Sequence, residues 1–301
     1  MAFLLYNTII EKRSDEMGFE RVCTIIDELI PDEGTIRDIV KGVDLFKITK
    51  SQEHVQQCYE KGIIFIFQGK KQVLNEKSIL TYDQNNYLIL SMPTPVECRV
   101  YATDEKPIFG LRIDADQKII NEILFSCNIS FNYDTESKPG IYTESLNEQL
   151  IDSLNRLINC FKDKHDCQVL APLYIKEILY FVLKSPHGYA LNFTSYYSDT
   201  YYNISQIADN IYVNYKDKYD VSTLAKQAKM SVSNFHSTFK EVTGLSPIQY
   251  VKKIKLHKAR ELLLYKKTTA KAAAYEVGYE SLSQFTREYK RMFGTTPKTN
   301  A

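Results

Sequence analysis

The chain lacks the signatures of several protein classes, and each absence narrows what it can do. No apolar run approaches the roughly 20 residues that cross a bilayer as a helix. There is no Cys-x-x-Cys pair, no His-x-His, no serine nucleophile elbow and no glycine loop of the kind that cradles phosphate. A metal enzyme needs closely spaced histidines and carboxylates. The five histidines are His54, His165, His187, His236 and His257, and only His54 falls among strand-like segments, with no second histidine in reach. The residue types therefore argue against catalysis, and no cofactor or metal is expected. The six cysteines (Cys23, Cys58, Cys98, Cys127, Cys160 and Cys167) are scattered, as expected of reduced, mostly buried thiols. The start, MAFLLYNTIIEKRSDE, carries its charges after its apolar residues, the reverse of a secretion signal, so a cytoplasmic location is expected.

What is present is a soluble composition, 44% apolar and 12% aromatic, in 301 residues, enough for two cores. The net charge of +1 conceals an asymmetry. From Ile204 to Ala301 there are 17 basic and 8 acidic residues, whereas the preceding part has 21 basic and 29 acidic ones. A basic C-terminal region behind an acidic one is the electrostatic footprint of a surface that meets phosphates.

The C-terminal third, Ser222 to Pro297, holds two copies of one pattern: a short helix, a tight turn, and a second helix rich in small polar and basic residues. In the first copy Leu224, Ala225, Ala228, Met230, Phe235 and Phe239 recur at helical spacing and can close a small core. Ser231 is placed to cap the second helix, which leaves Ser233, Asn234, His236, Ser237 and Lys240 outward. In the second copy Gly278 suits the turn, and Ser281 with Gln284 has capping-box spacing. Phe285, Tyr289 and Phe293 form its inner face, and Ser283, Gln284, Thr286, Arg287 and Arg291 remain for contact. Between the copies, SPIQYVKKIKLHKARELLLYKK reads as one long basic helix, with some of Lys252, Lys253, Lys255 and Lys258, Lys252 and Lys255 among them, expected to meet phosphates. Short polar side chains plus an arginine are what a major-groove helix requires.

The segments KMSVSNFHSTFKEVTGLSPIQYV and AAYEVGYESLSQFTREYKRMFGTTP closely resemble the AraC/XylS family of bacterial transcription regulators. The resemblance implies two recognition helices entering successive major-groove segments on one DNA face. Carried over by motif position, it makes Ser233, His236 and Ser237 the base-contacting set of the first unit, and Ser283, Gln284 and Arg287 that of the second. It also implies a regulator, activator or repressor, that works at promoter or operator DNA with RNA polymerase, with no membrane partner. Two departures stand out: Ala270 and Ala273 replace larger aliphatics, so the helix before Gly278 is expected to be thinly packed, and Lys298-Thr299-Asn300 replaces a common Tyr-Arg.

The front of the chain is read as an amphipathic helix from about Phe3 to Ile30, followed by six short strand-like runs between Val43 and Asp114. Such runs suggest a small antiparallel barrel or sandwich. Helical period then returns, with apolar stripes at Leu146, Leu150, Leu154, Leu157 and Phe161 and at Ile175, Ile178, Leu179 and Val182, available to cover the strands or to pair two copies of the chain. GIIFIFQGKKQVL, YLILSMPTPVE, PIFGLRID and APLYIKEILYFVL resemble the N-terminal domain of one branch of AraC-type regulators. That likeness implies a cupin-like β-barrel with a helical appendage, used for effector binding or dimerisation. Phe65, Phe67, Tyr87 and Phe109 are candidates to line its interior or simply to fill it. Arg112 is a candidate to anchor an anionic effector if it points inward, although its parity relative to Leu111 and Ile113 argues for the opposite face.

The expectation is therefore an α+β chain of two domains, the second all-α with two helix-turn-helix units on a linker helix. Residues 1–190 form the effector or dimerisation domain, 191–203 a linker, and 204–301 the DNA-binding domain. The competing reading is a cupin-type metal enzyme fused to a DNA-binding domain.

Overall fold

The computed structural model describes residues 18–75, 78–127, 129, 140–192 and 199–300. Helix α1 (Glu20–Leu29) precedes nine strands: β1 (Gly34–Val40), β2 (Val43–Ile48), β3 (Gln52–Tyr59), β4 (Gly62–Gln68), β5 (Lys70–Asn75), β6 (Ser78–Asp83), β7 (Asn86–Leu90), β8 (Thr94–Tyr101) and β9 (Ile108–Asp114). Then follow α2 (Gln117–Ser126), β10 (Ile141–Ser145), α3 (Glu148–Cys160), α4 (Lys164–Val169) and α5 (Ala171–Leu183). The strands make two antiparallel sheets, one in the order β1-β2-β9-β4-β7-β10 and the other β3-β8-β5-β6. Of the barrel or sandwich expected, the strands make two sheets that are not closed into a barrel, since β1 and β10 end one sheet and β3 and β6 the other.

Strand periodicity divides the apolar residues between two cores. On β4, Ile64 and Ile66 point between the sheets, with Leu88, Val96, Cys98 and Ile108. Ile63, Phe65 and Phe67 point the other way, onto α1, α3 and α5. Both helical stripes go to this second core: Leu150, Leu154, Leu157 and Phe161 from α3, and Ile175, Ile178, Leu179 and Val182 from α5, are all buried there, with Leu146 packed beside them. Neither stripe is left to pair copies of the chain. The proposed N-terminal helix is seen from Glu20, with Val22, Ile25 and Ile26 buried; its residues 3–17 lie outside the described ones, as do 193–198 of the expected linker.

Helix α6 (Asp199–Val213) leads into the helical region, which continues with α7 (Val221–Gln227), α8 (Val232–Thr243), α9 (Pro247–Lys266), α10 (Ala270–Glu276) and α11 (Leu282–Phe293). Local chemistry sets their ends. The Asp220, Ser231, Thr269 and Ser281 side chains accept an N–H from the first turns of α7, α8, α10 and α11. Gly244 and Gly294 close α8 and α11 in the left-handed conformation. At α9, Gln249 takes the Ser246 N–H at 3.2 Å and Pro247 occupies the first turn. Gly278, at φ +80°, turns α10 into α11, and a Cβ there would lie 2.5 Å from the Lys216 carbonyl oxygen.

The two regions are joined by side chains. Met92, in the β7–β8 connection, is buried in the same cluster as Leu224, Phe235, Phe239 and Tyr250, with Cys58 packed against it. The Tyr250 hydroxyl donates to the Pro93 carbonyl. The Tyr212 hydroxyl donates to Glu60 at 2.7 Å, and Arg260 reaches the Gln56 carbonyl at 3.4 Å.

Candidate nucleic-acid interface

Helices α8 and α11 present the same face in the same register. Ser231-Val232-Ser233-Asn234-Phe235 opens one and Ser281-Leu282-Ser283-Gln284-Phe285 the other. In each, the phenylalanine is fully buried while the four residues before it are exposed. The structure exposes Ser233, Asn234, His236, Ser237 and Lys240 on α8, and Ser283, Gln284, Arg287 and Arg291 on α11, as expected. Thr286 is half-buried and its hydroxyl is turned back to the Leu282 carbonyl at 2.8 Å, so it is poorly placed to reach a base. The Ser237 hydroxyl likewise donates to the Ser233 and Asn234 carbonyls, at 3.2 and 3.0 Å, but remains exposed.

The capping box foreseen at Ser281 is half formed. The Ser281 hydroxyl accepts the Gln284 N–H at 3.3 Å, but the Gln284 side chain donates to Glu288 at 3.2 Å. Glu288 collects Tyr279, at 2.7 Å, and Lys252, at 2.9 Å, as well. Burial works against its charge, yet these three donors hold its carboxyl below the usual range.

The linker helix departs most from expectation. Lys255 is buried and donates to the Asp217 carbonyl at 3.0 Å, so it is not a phosphate ligand. Lys252 is engaged by Glu288, and Lys258 donates to the Tyr212 hydroxyl at 2.7 Å. Lys253, half-buried, has its pKa pushed down, by burial first, against the pull of Glu97 on β8. The basic stripe of α9 thus serves the protein's own joints. Sequence reasoning also passed over Val232 and Leu282, 50% and 36% exposed at matching positions, and Lys290 on the open side of α11. Their signal was the repeat itself, which placed an aliphatic beside each capping serine.

The alanine helix is better packed than its composition suggested. Ala273 and Ala274 are wholly buried against Leu256, Ala259 and Leu263, and Tyr279, Phe285, Tyr289 and Phe293 fill the remaining space. His257 is buried beside them, edge-on to Phe293 at 5.4 Å.

The expected effector residues take other places. Phe65, Phe67, Tyr87 and Phe109 are at most 5% exposed and pack in the core under the helices, on the opposite side of the sheet from the inter-sheet space. Phe19 on one side and Tyr87 on another meet Phe67 and Phe65 ring to ring, at 5.0 and 5.2 Å. Arg112 lies on the other face and is spent on Asp44, at 3.4 Å, Glu60 and Asp114. Among the described residues, no three His, Cys, Asp or Glu side chains are grouped to hold a metal ion, and no helix is long and apolar enough to cross a membrane.

Comparison with known proteins agrees with this geometry. The AraC-type transcriptional regulator N-terminus matches residues 39–190, and a helix-turn-helix domain matches residues 224–300. The chain belongs to the AraC family of transcriptional regulators. The virulence regulon transcriptional activator VirF of Yersinia enterocolitica is 25% identical to it over 86% of this chain and 94% of that one. The HTH-type transcriptional regulator ExsA of Pseudomonas aeruginosa is 28% identical over 54% of this chain and 58% of its own. The fold is shared with the apo form of a ToxT variant from Vibrio cholerae, at a TM-score of 0.60 and 12% identity, covering 85% of this chain and 95% of that one. The family is one of DNA-binding regulators, not of enzymes.

Proposed function

We propose that this AraC-family regulator reads two adjacent major-groove segments through α8 and α11, under the control of a small molecule and in concert with RNA polymerase. The observation that carries the reading is the pair of open polar faces in one register, fixed to a single helix. Helix α9 has 20 residues, or about 30 Å at ~1.5 Å per residue, close to the ~34 Å between successive turns of one groove. A rigid spacer of that length lets both units face one side of the duplex. Any mismatch would be met by bending the DNA, at of order 1–6 kcal/mol.

Within this reading Ser233, Asn234, His236 and Ser237 meet bases from α8, and Ser283, Gln284 and Arg287 from α11. Arg287 is suited to bidentate contact with guanine, and Val232 and Leu282 to thymine methyl groups. Lys240, Lys290 and Arg291 supply phosphate contacts, which give affinity and salt dependence but no sequence information. Effector control is supported by the side-chain joints between sheets and helices, and by the unsaturated fatty acid bound in another ToxT structure from Vibrio cholerae.

Selection of bound sequences from random DNA, followed by a salt titration on the recovered site, tests the reading. Two short blocks about one helical turn apart are expected. A single block would mean that only one unit reads bases, and no enrichment would reject sequence-specific binding.

A further inference from the structure

A cleft of about 550 Å³ opens where the ends of β1 and β9, the β3–β4 turn, α2 and α5 meet α6. Its volume lies in the range of small-molecule sites. Val40, Ile113, Ile119 and Ile175 give it an apolar side. Its charged lining is Lys41, Lys61, Glu60, Asp114, Asp116 and Asp209.

We propose that this cleft binds a small cationic amphiphile, an amine or guanidine on an apolar body, with its charged head at Asp209. The proposal follows from which charges are already spent. Glu60 and Asp114 share Arg112, and Glu60 also receives the Tyr212 hydroxyl. Asp116 caps α2 by accepting the Lys118 N–H at 2.8 Å. Asp209 has no hydrogen bond or ion pair among the described residues; it feels Lys61 only at longer range. Burial pushes its carboxyl up to about 6, with Lys61 opposing only in part. A half-buried carboxylate so placed lacks a close cation, and a ligand ammonium supplies one. A ligand carboxylate would instead face Glu60, Asp114, Asp116 and Asp209, with only Lys41 and Lys61 to offset them.

The cleft also touches two of the joints between the regions. Tyr212 lines it while bridging Glu60 and Lys258, and Pro93 lines it while accepting the Tyr250 hydroxyl. A ligand there would bear on α9 from two sides. That consequence, though not the binding itself, rests on the effector-controlled reading above.

The test uses the full chain and three probes of one shape: phenylbutylamine, phenylbutanol and phenylbutyrate. At saturation the amine should raise the melting temperature by about 2–4 °C, the alcohol less and the carboxylate not at all. Asp209→Asn should weaken the amine by about tenfold or more and leave the alcohol unchanged, as one lost charge pair predicts. Lys61→Met should tighten the amine by removing its competitor. The melting temperature of each unliganded variant reports whether it folds, and if Asp209→Asn does not, Lys61→Met decides. Equal or stronger binding of phenylbutyrate, no shift with the amine, or amine affinity indifferent to both variants would overturn the site. Binding of the amine with unchanged affinity for the selected DNA would leave the site standing and reject effector control through it.

Discussion

The two helix-turn-helix units share their lettering and differ in what they are built into. The first closes its core with help from outside: Met92 of the sheet region is buried among Leu224, Phe235 and Phe239, and Tyr250 is tied to Pro93. The second closes on itself, with Ala273 and Ala274 laid flat on α9 and an aromatic series from Tyr279 to Phe293 filling the space their short side chains leave. Their reading faces differ as well. α8 exposes one lysine, Lys240, whereas α11 exposes Arg287, Lys290 and Arg291. One repeat has therefore been put to two uses. The first unit packs onto the sheet region, and the second presents the more strongly charged face.

Removing equivalent buried rings should break the symmetry most visibly. Phe235→Ala and Phe285→Ala should each cost roughly 3–5 kcal/mol. In calorimetry, Phe235→Ala should lower a transition shared with the sheets, while Phe285→Ala should split off an early transition of the second unit alone. One common transition in both variants would show that the units are equally coupled.

Met92→Ala addresses the same difference from the other side, at roughly 2–5 kcal/mol. Hydrogen exchange should quicken in α7 and α8 and stay unchanged in α10 and α11. Uniform quickening would remove the distinction.

On DNA, Arg287→Ala should weaken specific binding by roughly 1–3 kcal/mol and relax preference at one base pair. Ser237→Ala, at the matching position of α8, should cost about 1 kcal/mol or less. Equal losses on selected and random DNA would refute base reading by Arg287.

Acid should separate the units as well. Burial, then Arg260, Lys253 and Lys258, lowers the His257 pKa from 6.5 to about 3, so the folded second unit holds it neutral. Because the unfolded chain takes up that proton first, stability present above pH ~6.5 is lost as pH falls toward ~3, by at most about 1.4 kcal/mol per pH unit. Urea unfolding followed at α10 and α11 should show this loss, and His257→Leu should flatten it. An unchanged slope in that variant would assign the acid response elsewhere.

Sequence by itself determined the elements whose signals are local. Both helix-turn-helix units were legible because helical spacing, capping serines and the glycine turn act within a few residues of one another. Strands β2 and β4 to β9 were legible for the same reason. β3 was not, because QEHVQQCY is largely polar and open to solvent and so shows no apolar alternation. Tertiary structure alone decided which side of a strand faces which layer. Alternation groups Phe65 and Phe67 on one face but does not say whether that face meets a second sheet or a layer of helices. It also decided the fate of the lysines on α9. Lys252, Lys255 and Lys258 are alike in sequence, yet one is held by Glu288, one is buried on a carbonyl and one serves a tyrosine. A long flexible amine takes whatever acceptor the packed chain brings within its reach, and no stretch of sequence around it carries that acceptor's position.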